Sequence, residues 1–78
     1  MKKINHAFEY EVGKFYRRRT RDGETFYIYI LGKKYDGKIH DERPLIQLNF
    51  LIKSQVCNLS MYYDTEISGC FEVENYGE

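Results

Sequence analysis

The stretch Glu24-Thr25-Phe26-Tyr27-Ile28-Tyr29-Ile30-Leu31 limits the fold more than any other part of this chain. Six of its eight residues are β-branched or aromatic, and it contains neither Pro nor Gly. Such side chains suit a pleated, half-buried surface and restrict the rotamers a helix would need, so the stretch reads as a strand. Asp22-Gly23 precedes it and Gly32 follows it. An Asp-Gly pair between two strand-like runs signals a tight hairpin, which pairs Lys14–Arg21 with Glu24–Leu31.

Two registers satisfy that hairpin. A two-residue loop sets Tyr16 opposite Tyr29. A three-residue loop with Gly23 as a bulge shifts the pairing by one and sets Tyr16 opposite Ile28. Side chains alternate between faces along a strand, so Phe26, Ile28 and Ile30 share a core face and Tyr27 and Tyr29 share the other. In the two-residue register Arg17 and Arg19 fall on the apolar face. In the bulged one they join the tyrosines. The bulged register is preferred because it avoids burying two unpaired guanidinium groups.

The remaining chain supplies partners for this hairpin. Phe8, Tyr10 and Val12 alternate with Glu9 and Glu11, which predicts a short strand with even positions inward, ended or bulged at Gly13. Residues 32–38 read as a turn or short irregular hairpin, and 39–44 as a loop closed by Pro44. Leu45–Lys53 predicts a strand with Ile46, Leu48, Phe50 and Ile52 inward. A turn at Ser54-Gln55 precedes a strand whose Cys57, Leu59, Met61 and Tyr63 alternate with polar neighbours. The last strand, about Ile67–Val73, has Ile67, Phe71 and Val73 inward and a bulge at Gly69. The expected fold class is all-β: a single domain over 1–78 of five to six antiparallel strands without substantial helix. An SH3-like or OB-like bent barrel, or an antiparallel sheet folded on itself, fits this size. Residues 1–6 and 75–78 are expected to be mobile ends.

With 78 residues the chain buries only roughly 60–65% of its unfolded surface, so self-association or a partner would add stability. No stretch reaches the roughly 18 apolar residues of a membrane-spanning helix, and the basic start lacks an apolar run behind it. A cytoplasmic setting is therefore expected, with Cys57 and Cys70 as thiols and no membrane partner. The cysteines lie thirteen residues apart without a CxxC pair, which gives no metal site. His40-Asp41-Glu42 is best read as a solvated loop, since adjacent residues need not point at a common atom. Without a catalytic cluster or a cofactor motif, the expectation is a protein that is not an enzyme and uses no cofactor.

Charge is where the sequence points to partners. The net charge is zero. Residues 1–39 nevertheless carry ten Lys/Arg against five Asp/Glu, and residues 40–78 two against seven. Tyr16, Arg17, Arg18, Arg19 and Arg21, with Tyr27 and Tyr29 across the hairpin and Lys33 and Lys34 beyond it, form a candidate partner-binding set. Arginine neutralises phosphate or grips carboxylate, and tyrosine offers a stacking ring. A second, acidic set comprises Asp64, Glu66, Glu72 and Glu74, and it would instead form cross-strand pairs if its strand lay beside a basic one. These features imply a small binding module, regulator or inhibitor, a form that phage-encoded inhibitors also take. Its expected partner is a protein, including one that handles nucleic acid. Direct nucleic-acid binding and a structural role, such as a homodimer, are the alternatives.

Overall fold

The computed structural model describes residues 2–40 and 43–77, with the side chains of 36–40 and 43 set aside. It contains six strands: β1 (Lys2–His6), β2 (Phe15–Arg19), β3 (Thr25–His40), β4 (Arg43–Ile52), β5 (Gln55–Tyr62) and β6 (Glu66–Val73). All pairings are antiparallel, in one sheet of order β1-β6-β2-β3-β4-β5. The helical content among the described residues is one 3-10 turn, Ala7–Glu9. The all-β expectation holds.

That strand order cannot be flat. Four inter-strand spacings separate β5 from β6, about 19 Å in a flat sheet. Only residues 63–65 connect them, a link that spans roughly 14 Å from Tyr62 to Glu66 when fully extended. The sheet must therefore roll until the two strands approach. Backbone bonds hold the seam: Ala7 N–H donates to the Thr65 carbonyl at 2.8 Å, Phe8 N–H to that of Tyr63 at 3.0 Å, and Tyr63 N–H to that of Pro44 at 3.0 Å. β3 must bend too. Sixteen residues extend about 53 Å if straight, whereas the longest dimension of the molecule is 37 Å.

The core fills the inside of the roll. Ile4, Ala7, Tyr10, Tyr16, Ile28, Ile30, Ile46, Leu48, Ile67 and Cys70 are buried there, with Phe50, Ile52 and Met61 packed against them. The alternation expected for β4 is borne out at Ile46 and Leu48. The hairpin adopts the bulged register, with Tyr16 opposite Ile28 and Arg17 opposite Tyr27. Its loop is closed by Thr20 N–H donating to the Glu24 carbonyl, with Gly23 at φ +86°.

Several expectations are corrected. The expected free end at 1–6 is instead strand from Lys2 on: β1 pairs with β6 and Ile4 is fully buried, while Met1 lies outside the described residues. Residues 8–12 form no strand. The Glu9 carboxylate folds back to accept the Asn5 and His6 N–H groups at 2.7 and 2.8 Å, which ends β1. The chain then crosses the open end of the roll with Tyr10 inward and Val12 55% exposed. Residues 32–38 are not a turn, because β3 continues through them with an irregularity between Ile30 and Gly32. The expected loop at 39–44 is likewise strand at 39–40 and 43–44, and Asp41 and Glu42 lie outside the described residues. The tight turn after β4 falls at Lys53-Ser54, one residue early. In β6, Gly69 adopts φ +65°, and the bulge there changes which residues face inward. Ile67 and Cys70 reach the core and Val73, opposite Phe15, is buried as expected at 4% exposure, whereas Phe71 pairs with Arg17 on the outer side. Near the C-terminus the Tyr76 ring rests on Tyr27, centroids 5.1 Å apart.

Two outcomes follow. Ile4→Ala should lower unfolding stability in urea by about 2–5 kcal/mol, the usual cost of emptying a core position, whereas a mobile first strand would leave it unchanged. The Asn5 N–H bond, aided by that of His6, holds the Glu9 carboxyl below its ordinary pKa of 4.5. A depressed folded-state pKa contributes stability above the unfolded value, and the contribution is lost as pH falls through the folded one. Glu9→Gln should therefore be less stable at neutral pH and lose less stability between roughly pH 5 and pH 3, as read by acid titration of circular dichroism.

Candidate functional site

The outer face of β6, β2 and β3 gathers the cationic and aromatic side chains. Antiparallel partners share a face, so the register assembles rows across strands. Lys3, Phe71, Arg17 and Tyr27 form one row across β1, β6, β2 and β3. Val73, Phe15, Tyr29, Leu51 and Val56 form the next, from β6 to β5. Arg19 and Thr25 lie beyond the first row, toward the hairpin tip.

A groove runs over these rows, lined by Arg17, Arg19, Thr25, Tyr27, Gly69 and Phe71. No carboxylate is among its lining residues. Gly69 makes the groove floor close-fitting: a Cβ there would stand 2.8 Å from the Arg19 carbonyl oxygen, and φ is already left-handed. The rings on this face are paired with neighbours. The Arg17 guanidinium carbon lies 5.7 Å from the Phe71 ring centre, a cation–π arrangement. Phe15 leans on Tyr29 at 4.6 Å, and Tyr76 on Tyr27. A second depression, lined by Phe15, Tyr27, Tyr29, Leu51, Lys53, Ser54 and Tyr76, adjoins the first. The Lys53 ammonium sits 4.8 Å over the Phe26 ring.

The structure divides the expected cationic set. Arg17, Arg19, Tyr27 and Tyr29 share the outer face, with Arg21 exposed in the hairpin loop. Tyr16 is withdrawn from the surface. It is fully buried, its ring meets Tyr10 edge-on at 4.9 Å, and its hydroxyl accepts the Glu11 N–H at 2.8 Å. Arg18 turns to the inner side, where it lines an apolar pocket with Tyr10, Ile28, Ile30, Leu48, Phe50, Leu59 and Met61. Lys33 serves the fold, its ammonium donating to the Phe8 and Tyr10 carbonyls at 2.6 and 2.8 Å. Lys34 is exposed opposite Gln47, roughly 13 Å along the strand from Leu51. Phe15, Phe71, Lys3, Lys53 and Tyr76 join the face without having been expected there. Their signal is strand adjacency, which one sequence does not display.

The acidic residues are dispersed. β6 lies between β1 and β2, placing Glu72 opposite Lys2 and Tyr16, and Glu66 opposite His6. Six residues of strand, roughly 20 Å, separate those two acids. Glu74 is exposed beyond β6, and Asp64 lies in the link to β6. Among the described residues no three His, Cys, Asp or Glu side chains converge in a metal-binding group. His6 stacks on Phe8 at 5.2 Å, 3.6 Å from the Glu9 carboxylate. No described helix is long and apolar enough to cross a membrane.

The buried polar groups belong to the core. The Tyr10 hydroxyl and the Cys70 sulfur are 3.6 Å apart. Burial pushes the Tyr16 hydroxyl up to about 12 and raises Tyr10 and the Cys70 thiol. All three stay neutral near pH 7, because charging them would strip hydration from the charged form. Comparison with protein-family models, curated proteins and solved structures returns no match. In a native thiol titration, half-buried Cys57 should react at once and Cys70 only as the protein unfolds. Equal rates for both thiols would contradict the enclosure of Cys70.

Proposed function

We propose that this chain is a small binding module, without catalytic activity, that docks on an acidic protein surface through the outer face of β6, β2 and β3. The observation carrying this reading is the groove that gathers Arg17 and Arg19 with Tyr27 and Phe71 on one face. Arginine offers a planar fork that matches carboxylate geometry and desolvates more readily than lysine. Half-buried Phe15, Tyr27, Tyr29 and Phe71 supply rigid apolar area around it, the composition of an interface centre.

Direct binding of single-stranded nucleic acid is the second reading, favoured by Tyr27 and Phe71 standing in the same groove as two arginines. It ranks below the first because the rings are already engaged: Phe71 by Arg17, Tyr27 by Tyr76 and Phe15 by Tyr29. A base would have to displace these contacts to stack. Zero net charge also gives no general attraction to a polyanion.

Fluorescence anisotropy separates the two. A labelled Asp/Glu-rich peptide should bind the wild-type protein. Arg17→Ala and Arg19→Ala should each weaken that binding about 10- to 100-fold, the range expected for a charged hydrogen bond worth about 1.5–3 kcal/mol. A single-stranded oligonucleotide should not bind at low salt. Oligonucleotide binding that falls steeply with salt would shift the conclusion to the second reading. Failure of both probes would remove the groove as a docking site.

A further inference from the structure

The two edges of the sheet are built differently. β1 carries Lys2 and Lys3, charges that discourage further strands from adding. β5 has none of them. Its eight residues, Gln-Val-Cys-Asn-Leu-Ser-Met-Tyr, include no charged residue, Pro or Gly. It pairs without irregularity along β4 and is the last strand in the sheet order. Val56 is 65% exposed and Leu59 46%.

The hairpin before β5 decides which backbone groups face outward. Lys53 and Ser54 have φ +49° and +63°, and Ile52 pairs with Gln55. This is the two-residue turn whose closing pair is mutually hydrogen-bonded. The N–H and C=O of Gln55 therefore point toward β4, and those of Cys57, Leu59 and Met61 follow by alternation. The backbone groups of Val56, Asn58 and Ser60 point away from the sheet.

We propose that β5 pairs with β5 of a second copy of this chain, antiparallel about a twofold axis at Asn58. That register sets Asn58 opposite Asn58 of the second copy and Val56 opposite Ser60 in both directions, using every outward group just named. On the inner side it lays each Leu59 against the other copy's Cys57, extending the apolar pocket that Leu59 and Met61 line. The contact is self-complementary, as a twofold interface must be. Antiparallel pairing brings the Lys53 end of one strand to the Asp64 end of the other. Neither strand nor molecule carries net charge to oppose the approach. The two outer faces then lie on the same side of one continuous sheet.

Sedimentation equilibrium of the full chain between roughly 1 and 300 µM tests this. A monomer–dimer equilibrium is expected. Leu59→Lys, at a half-exposed position where the fold tolerates charge, should weaken association at least tenfold. Leu59→Cys should oxidise to a covalent dimer through the second copy's Cys57, since residues paired between hydrogen-bonded positions approach to about 4.5 Å between Cα atoms. Adding Cys57→Ser should abolish that cross-link. A monomer throughout the range, or a dimer unaffected by Leu59→Lys, would overturn the proposal. Persistence of the cross-link after Cys57→Ser would overturn the register.

Discussion

The three residues between β5 and β6 set the shape of the molecule. They join one end of the five-strand run to the other and thereby forbid a flat sheet. Rolling the sheet gives the chain an inside, and the inside lets so short a chain bury ten core residues. It also seats β6 between β1 and β2. Acidic and basic strands are thereby interleaved, so the charge asymmetry of the sequence does not become two opposed poles. The span Ala7–Lys14 then closes one end of the roll. Tyr10 is its plug, and the Lys33 ammonium clips its backbone from outside.

Local breaks in alternation decide what each face presents. At Gly69 the bulge exchanges the faces of β6, sending Cys70 to the core and Phe71 to the outside. The irregularity before Gly32 does the same to β3. Ile28 and Ile30 face inward before it, whereas Lys33 and Tyr35 stand opposite Leu48 and Ile46 after it. Each break moves a residue type to a side that simple alternation would deny it. The consequences are specific: Phe71 becomes the ring beneath Arg17, and Lys33 becomes a structural clamp instead of part of a cationic surface. Gly69 also lets β6 approach the Arg19 carbonyl, which no larger residue permits without displacing backbone.

The outer face joins two properties that usually compete. Half-buried rings and β-branched neighbours make it a stable sheet surface, while arginines along one side keep it polar enough to stay hydrated. Pairing of the rings with one another and with Arg17 reduces their exposed area in the unbound molecule. It also pre-orders them, which lowers the ordering cost of any contact made on this face. The uncharged β5 edge lies at the other end of the same sheet, and Val56 continues the row that begins at Val73. The outer face and the β5 edge thus belong to one surface.

Local sequence was enough to read the strand character of residues 15–19, 25–31, 45–52 and 57–62, the bulged hairpin register and the all-β class. These follow from local physics: β-branched and aromatic composition, the Asp-Gly turn, and the cost of burying unpaired guanidinium groups. It also placed Arg17 and Arg19 beside Tyr27 and Tyr29, because that choice involves only two adjacent strands. Local patterns are silent on which strands neighbour one another across long sequence distances. Lys2–His6 reads as a polar tail until β6 supplies its partner, and Phe71 reads as core until β6 is bulged and set beside β2. Tyr16 and Arg18 lie two residues apart on one face, and the curvature of the roll, absent from any local pattern, buries the first and leaves the second at the edge of a pocket.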